Sequence, residues 1–268
     1  MIKAVFFDID GTLLSFKTHT ISSATSQALQ QLKKQGTKVF VASGRSFEQV
    51  KKVLDFPFDG YITSNGSCCL TADGSLLEQA TLPKQDLHNL VSYLRADKAP
   101  FSLSYMTGTG IYANHWSEAL CHHFDLINVQ RPVQAPLENL LSTDVFQLTI
   151  YVGDNVEKIL MERIMPNCEF TRWHELFADV NNKLHNKATG IRVMLNHHGI
   201  DLRETMAFGD GGNDLKMLQY VEHGVAMGNA GSEIKTKARY VTDSVDEDGV
   251  WNALVRLNVL HEDVYHDQ

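Results

Sequence analysis

Residues 4–14 read Ala-Val-Phe-Phe-Asp-Ile-Asp-Gly-Thr-Leu-Leu. A short apolar run leads straight into two aspartates spaced i, i+2 and a glycine: Asp8, Asp10 and Gly11. The run fits a buried strand, and residues two apart on an extended chain return to the same side. Phosphoryl transfer to an enzyme carboxylate needs this arrangement. One acid attacks phosphorus, the other handles the proton, and a glycine bend lets the backbone approach the anion. An isolated Asp-Gly is only a turn signal, but this one follows an apolar strand. Far along the chain, residues 206–214 read Met-Ala-Phe-Gly-Asp-Gly-Gly-Asn-Asp, a second apolar run ending in acids. The two segments imply one site assembled from distant parts of the sequence.

Working outward, apolar runs at 4–7, 39–42, 61–63, 205–208, 224–227 and 240–242 predict buried strands. Between the first two, residues 22–35 carry Ala24, Ala28, Leu29 and Leu32 on a helical stripe, and Gly36 is a helix stop. A further helix is expected over 214–221. Strands alternating with helices imply an α/β fold with a Rossmann-like parallel sheet covered on both faces. In such sheets ligands sit beyond the carboxyl ends of the strands. Asp8, Ser43, Asn65 and Asp210 all fall just past a predicted strand end.

The alternation breaks between Leu82 and Lys183. Helical patterns at 84–95, 136–141 and 156–164, with strand patterns at 101–105, 111–113, 146–152 and 177–180, predict an inserted α+β domain. The expected boundaries are 1–82 with 184–268 for the core and 83–183 for the insertion. Alternating residues over 146–152 predict a sheet with one wet face. The polar tail after Asn258 is expected to fray.

The chain has 268 residues, enough for two domains, and its 43% hydrophobic content is ordinary for a soluble globular protein. A formal net charge of −8, from 24 basic and 32 acidic residues, argues against a nucleic-acid partner. It leaves room for a small phosphorylated metabolite, which answers to local charge. The N-terminal apolar run is too short for a signal peptide, and no stretch approaches the roughly 18 apolar residues of a membrane helix. Cys68, Cys69, Cys121 and Cys168 show no C-x-x-C spacing and read as reduced thiols of a cytoplasmic protein. Asn65-Gly66-Ser67 matches a glycosylation sequon without a secretion signal to use it. No obligate protein partner is evident, and no Walker-type phosphate loop occurs.

With these residues on view, the chain resembles the haloacid dehalogenase-like phosphatases. Asp8-Ile9-Asp10-Gly11-Thr12 is similar to their first motif, and Ser43 in Val-Ala-Ser-Gly-Arg to the second. Lys187 fits the third, and Gly209-Asp210-Gly211-Gly212-Asn213-Asp214 the fourth. The insertion resembles in place and size the cap of the Cof-type subfamily, a C2B-like cap. Asn65-Gly66, residues 224–230 and residues 246–250 are also like that subfamily, and within it the chain is similar to bacterial hexose-phosphate phosphatases. The family usually has a glycine directly after the lysine, whereas here Ala188 follows and Gly190 comes later.

The resemblance implies a Mg²⁺-dependent phosphatase of small phosphorylated metabolites, sugar phosphates foremost, working through an aspartyl-phosphate on Asp8. Asp10 would protonate the leaving alkoxide and then activate water. Asp8, Asp210 and the Asp10 carbonyl would hold the metal, with Asp214 and Thr12 behind them. Lys187, Ser43, Asn213 and the amides of Ile9 and Gly44 would cradle the phosphate. Electrostatics points the same way. Each like-charge pair at about 4 Å costs roughly 4 kcal/mol at an effective dielectric of 20, so crowded carboxylates bind an anion only with a multivalent cation among them. Hard oxygen donors favour Mg²⁺ over zinc.

Other readings remain open. Ser43 can cap a helix beginning at Arg45, and Lys183 competes with Lys187. Arg172-Trp173-His174 is either a substrate contact or a strand that packs its Trp. His122-His123 and His197-His198 invite a metal reading, but adjacent helical residues diverge by about 100°. A hexose phosphomutase would share the core and cap. A non-catalytic phosphometabolite sensor would need neither Asp8 nor Asp10.

Overall fold

The computed structural model describes residues 1–96 and 101–260. The chain opens with β1 (Ala4–Phe7), α1 (Ser23–Lys34), β2 (Lys38–Ala42), α2 (Phe47–Val53), β3 (Gly60–Thr63), β4 (Cys68–Thr71) and β5 (Leu76–Gln79). An inserted stretch follows: α3 (Lys84–Ala96), β6 (Leu103–Thr107), β7 (Gly110–Ala113), α4 (Glu118–Leu126), β8 (Val133–Gln134), α5 (Asn139–Ser142), β9 (Val145–Ile150), α6 (Asp154–Ile159), β10 (Cys168–His174) and β11 (Phe177–Asn182). The chain returns through α7 (Lys187–His198), β12 (Thr205–Gly209), α8 (Leu215–Tyr220), β13 (His223–Ala226), α9 (Ser232–Lys237), β14 (Tyr240–Val241) and α10 (Gly249–Arg256).

Two sheets result. The first runs β14-β13-β12-β1-β2-β3-β4-β5, and its strands from β14 to β3 are parallel. The second runs β10-β11-β9-β6-β7-β8 and is antiparallel apart from the β7–β8 pair. Every residue of β1 is buried, as a strand covered on both faces requires. Val5 and Phe7 pack with Ala28, Leu29 and Leu32 of α1 and with Ala253 and Leu254 of α10. Ala4 and Phe6 point the other way, toward Ile191, Met194 and Leu195 of α7. β1 pairs with β2 on one side and β12 on the other. The strand order reverses there, so the crevice opens past the ends of β1 and β12.

Local signals set the helices. Ser22 accepts from the Thr25 amide at the start of α1, and Gly36 (φ +81) follows its end. Asn186 caps α7 by accepting from the Ala188 and Thr189 amides, which puts Lys187 in the first turn. The expected helix from residue 214 starts as a 3-10 turn over Gly212–Asp214 and continues as α8. The helix expected over 136–141 shortens to α5, and that over 156–164 divides into α6 and a π-turn at Leu160–Ile164. The hairpin of β4 and β5 went unforeseen, because Cys-Cys-Leu-Thr and Leu-Leu-Glu-Gln lack clear alternation.

One expectation is overturned and another applies to less of the chain than expected. The polar face of the inserted sheet is not wet. Gln147 and Thr149 of β9 and Asp179 and Asn181 of β11 are all buried, because that face lies on the core sheet's crevice. Asn181 Nδ2 donates to the Ser64 carbonyl at 3.0 Å, and Gln147 Nε2 to the Gly44 carbonyl at 3.4 Å. The tail after Asn258 does not fray at once, since Leu260 packs into the core at 1% exposure. Residues 261–268, the rest of that tail, lie outside the described residues.

The turn after β3 holds Ser64, Asn65 and Gly66 at positive φ in succession (48°, 54° and 96°). A Cβ on Gly66 would stand 2.2 Å from the Asn186 carbonyl oxygen, whereas one on Gly36 would meet nothing within 4 Å. Both positions penalise alanine through the left-handed backbone, by about 1–2 kcal/mol. Urea unfolding should therefore show Gly36→Ala losing about that much and Gly66→Ala clearly more, because only the second must also displace the cap of α7.

Candidate active site

β1 ends at Phe7 and β12 at Gly209, and Phe7 pairs with Phe208 across the parallel ladder. Asp8 and Asp210 therefore emerge side by side. Gly11 permits the close approach: at φ +83, a Cβ there would lie 2.2 Å from Asp210 Oδ2. Lys187, fully buried, donates to Asp8 Oδ1 and Asp214 Oδ1, each at 2.6 Å. The other Asp214 oxygen accepts the Asp210 and Gly211 amides at 3.0 and 2.9 Å. Asp210 is steered by Thr12 Oγ1 on one oxygen (3.2 Å) and by Asn229 Nδ2 on the other (3.0 Å). One carboxylate oxygen from each of Asp8, Asp210 and Asp214 lies within 4.8 Å of the others.

Burial, then the Asp214 carboxylate, pushes Asp8 up to about 7 against the pull of Lys187. Burial, then Asp8 and Asp214, raises Asp210 well above the usual carboxylate range. Burial disfavours the Lys187 charge, but Asp214 and Asp8 together outweigh it and hold the ammonium above the ordinary lysine value. One ammonium among these acids leaves the cluster short of positive charge. Its donors are hard oxygens, with no imidazole or thiolate among them, and that set fits a hard divalent cation.

Asp10 is held separately. Arg45 Nε and Nη2 each meet one Asp10 oxygen at 2.7 Å. Asn65 joins the two sheets: its Nδ2 donates to Gln147 Oε1 and Asp179 Oδ2 (both 3.1 Å), while its Oδ1 accepts Asn213 Nδ2 at 2.9 Å. Burial raises the Asp179 carboxyl, opposed by bonds from Thr149, Asn65 and Trp173. Over the acids lies a cavity of about 440 Å³. Asp8, Asp10, Ser43, Gly44, Asp210 and Asn213 line its core side, and Tyr105, Met106, Phe124, Gln147, Trp173 and Asp179 line the facing side.

The structure thus gathers Asp8, Ile9, Asp10, Thr12, Ser43, Gly44, Lys187, Asp210, Asn213 and Asp214 around one cavity. Ile9, Thr12, Lys187 and Asp214 stand behind the cavity wall, buried. Ser43 faces the cavity, and the α2 cap is Ser46, which accepts from the Gln49 amide. Lys183 is exposed and takes no part. Ala188 stands in the first turn of α7, and Gly190 meets a separate need, since a Cβ there would stand 2.5 Å from Ile62. His123 is no metal ligand partner for His122. Its Nδ1 lies 2.8 Å from the Tyr151 hydroxyl and its ring stacks on Phe177, while burial, then His174 and Arg45, pushes it down to about 3. Trp173 sits on strand β10, as one reading had it, yet also lines the cavity and donates to Asp179 at 3.3 Å. Arg45, Asp179 and Asn229 were missed as site residues. For Arg45, the only signal was its place after Ser43-Gly44.

Fold and site define an α/β protein with a carboxylate cluster at its strand ends beneath a cavity, an arrangement suited to phosphoryl transfer. A profile of haloacid dehalogenase-like hydrolases matches residues 5–254, and the chain belongs to that family. YkrA of Bacillus subtilis (strain 168) is 34% identical over 264 residues, 96% of this chain and 98% of that one. A solved structure described as showing a trigonal-bipyramidal intermediate in a phosphoryl-transfer superfamily superposes with a TM-score of 0.89 at 34% identity, covering 97% of this chain and 100% of its own. Another, BT4131, described as a HAD subclass IIB sugar phosphatase, has a TM-score of 0.87 at 33% identity, covering 96% and 100%. The chain is a phosphoric monoester hydrolase of the haloacid dehalogenase type, with a parallel-sheet core and an inserted cap.

Replacing Lys187 with Met strips the ammonium from two buried carboxylates, a loss of about 3–5 kcal/mol for a broken buried pair. The loss depends on pH. With its pKa raised from 3.8 to about 7, Asp8 binds a proton in the folded chain that the unfolded chain has released. Without the ammonium that value rises further, so above about 7 the variant pays to ionise a carboxylate that Lys187 stabilises in the wild type. Denaturant unfolding of Lys187→Met should show the larger deficit at pH 8 and the smaller at pH 5.

Proposed function

We propose that this phosphatase hydrolyses phosphomonoesters of small metabolites, sugar phosphates foremost, by two displacements at Asp8. What carries the reading is the convergence of Asp8, Asp210 and Asp214 within 4.8 Å under a cavity of about 440 Å³. Lys187 holds one Asp8 oxygen at 2.6 Å, fixing the carboxylate so that its other oxygen can attack phosphorus. Asp10, on the same cavity wall, enters this step protonated and gives its proton to the departing alkoxide, then regains one from the water that cleaves the aspartyl-phosphate. Ser43, Asn213 and the Ile9 and Gly44 amides cradle the phosphoryl oxygens, with Lys187 offsetting their charge.

Asp8 and Asp210, with the Asp10 carbonyl, would hold Mg²⁺. Bound there, the ion would supply charge neutralisation for the phosphoryl oxygens. Both oxygens of Asp214 are already engaged by Lys187 and two amides, which suits it to orienting those ligands rather than replacing them. Thr12 does the same for Asp210.

We take residues 83–183 as the cap and 1–82 with 184–268 as the core. The cap walls off water and contacts the leaving group. A cavity of about 440 Å³ is of the size that small-molecule sites occupy. Likeness to a sugar phosphatase supports a sugar phosphate as the substrate class. The four cysteines are free, which agrees with a cytoplasmic enzyme, and among the described residues no helix is long and apolar enough to cross a membrane.

A phosphate-release screen over hexose phosphates, nucleotides and phosphorylated cofactors, with Mg²⁺ or with EDTA, tests the reading. Turnover should appear on sugar phosphates, vanish with EDTA and return with Mg²⁺. Asp8→Asn should lose turnover while keeping its fold by circular dichroism. Phosphate release by that variant near the wild-type rate would refute the mechanism.

A further inference from the structure

Arg45 is 4% exposed and lines the cavity beside Asp10. A guanidinium is always charged, and its planar fork matches a carboxylate. Two of its nitrogens take the two Asp10 oxygens. Nη2 also donates to a second acceptor, the backbone carbonyl of Ile127 at 2.8 Å. Ile127 is the C-cap of α4, so its carbonyl belongs to a helix end, where acceptors lack helical partners. It also belongs to the inserted unit, not to the core. The remaining nitrogen, Nη1, is buried without a hydrogen-bond partner. The hydrogen bonds that orient the fork are therefore those to Asp10 on one side and to the cap on the other. If the cap moves away, the carbonyl leaves and only the acid remains to steer the guanidinium.

We infer that Arg45 is a positioning residue that sets the Asp10 carboxylate for proton transfer when the cap is closed, with the Ile127 carbonyl as the contact that reports closure. The inference rests on the acid–base role proposed for Asp10. It makes that role conditional on the cap: the proton donor is aligned only in the state that has already excluded water. Closure and proton transfer are then coupled through one nitrogen atom rather than through the substrate alone.

The test separates leaving groups. A hexose phosphate expels an alkoxide that needs a proton, whereas 4-nitrophenyl phosphate expels a phenolate that does not. The rate of aspartyl-phosphate formation is read by rapid quench for both. Arg45→Met should slow the hexose phosphate step about ten- to a hundredfold, part of the roughly 10²–10⁴ that a positioned acid contributes. The nitrophenyl step should change by no more than about threefold on the same reasoning. Arg45→Lys keeps the charge without the fork and should not restore the hexose phosphate rate.

Asn128 tests the cap half independently. It is exposed, follows Ile127 and holds φ +51, where a β-branched residue is disfavoured. Asn128→Val should turn the Ile127–Asn128 peptide and give a smaller loss with the same leaving-group pattern, whereas Asn128→Gly should keep the wild-type rate. Asp10→Asn is run alongside. If it shows no leaving-group dependence, the acid–base reading of Asp10 fails and takes the inference with it. If it shows that dependence while Arg45→Met slows both substrates equally, or while Asn128→Val matches wild type, the positioning role of Arg45 is overturned and the reading of Asp10 stands.

Discussion

The structure is organised around one electrostatic difficulty: Asp8, Asp210 and Asp214 are crowded within 4.8 Å at the end of a parallel sheet, almost out of water. Like charges so placed repel by several kcal/mol per pair even at a generous dielectric. A single buried ammonium, that of Lys187, bridges two of them. Everything that fixes that ammonium is therefore under tension from the site. Asn186 caps the helix that begins at Lys187. Gly66 gives the Asn186 carbonyl room to pass, and Gly190 lets α7 lie against Ile62. The third motif thus lies in side chains and also in two missing ones.

A second constraint follows from the first. A charge-poor site open to water would be screened, and its interactions with a phosphate would weaken. The inserted sheet provides the cover, and it covers with polar groups rather than apolar ones. Gln147, Thr149, Asp179 and Asn181 are buried, yet each finds partners. Many of those partners converge on one turn, Ser64–Gly66, whose positive φ values aim Asn65 at both sheets. Backbone strain of about 1–3 kcal/mol per residue persists only where the surroundings over-determine it. Here the surroundings are Asn213 from the core and Gln147 and Asp179 from the cap. A joint of hydrogen bonds can open at modest cost because water replaces each lost partner, which an apolar seal would not allow.

What the sequence disclosed follows from this division. Asp8, Asp10, Asp210 and Asp214 were legible because their chemistry is local: a buried strand, an acid at its end and a glycine that permits approach. The alternation over 146–152 correctly gave a two-faced strand, but periodicity reports polarity, not what lies opposite. The same pattern serves a face in water and a face closed on an active site, so the burial of Gln147 and Thr149 could only come from the fold. Asp179 escaped for a similar reason, as an acid inside a strand far from any motif. Arg45 stood in view beside Ser43 and Gly44, but its partner carbonyl at Ile127 is 82 residues away in sequence and carries no side-chain signature.

The cavity divides its work by the two sheets. On the core side are the acids and hydroxyl, with chemistry any phosphomonoester would meet. On the cap side Tyr105, Met106, Phe124 and Trp173 stand among polar groups, Ser104, His123, Gln147, Thr149, His174 and Asp179, that are bonded to other protein groups. An apolar wall discriminates weakly between leaving groups of similar size, by roughly 1–3 kcal/mol per methylene, whereas an unpaired buried polar group rejects far more strongly. Gln147 and Asp179 already have partners in the closed state. On the function proposed above, a wall lined in this way would select a leaving group mainly by size. The strict requirement would then fall on the phosphate, at the end where the carboxylates crowd around Lys187.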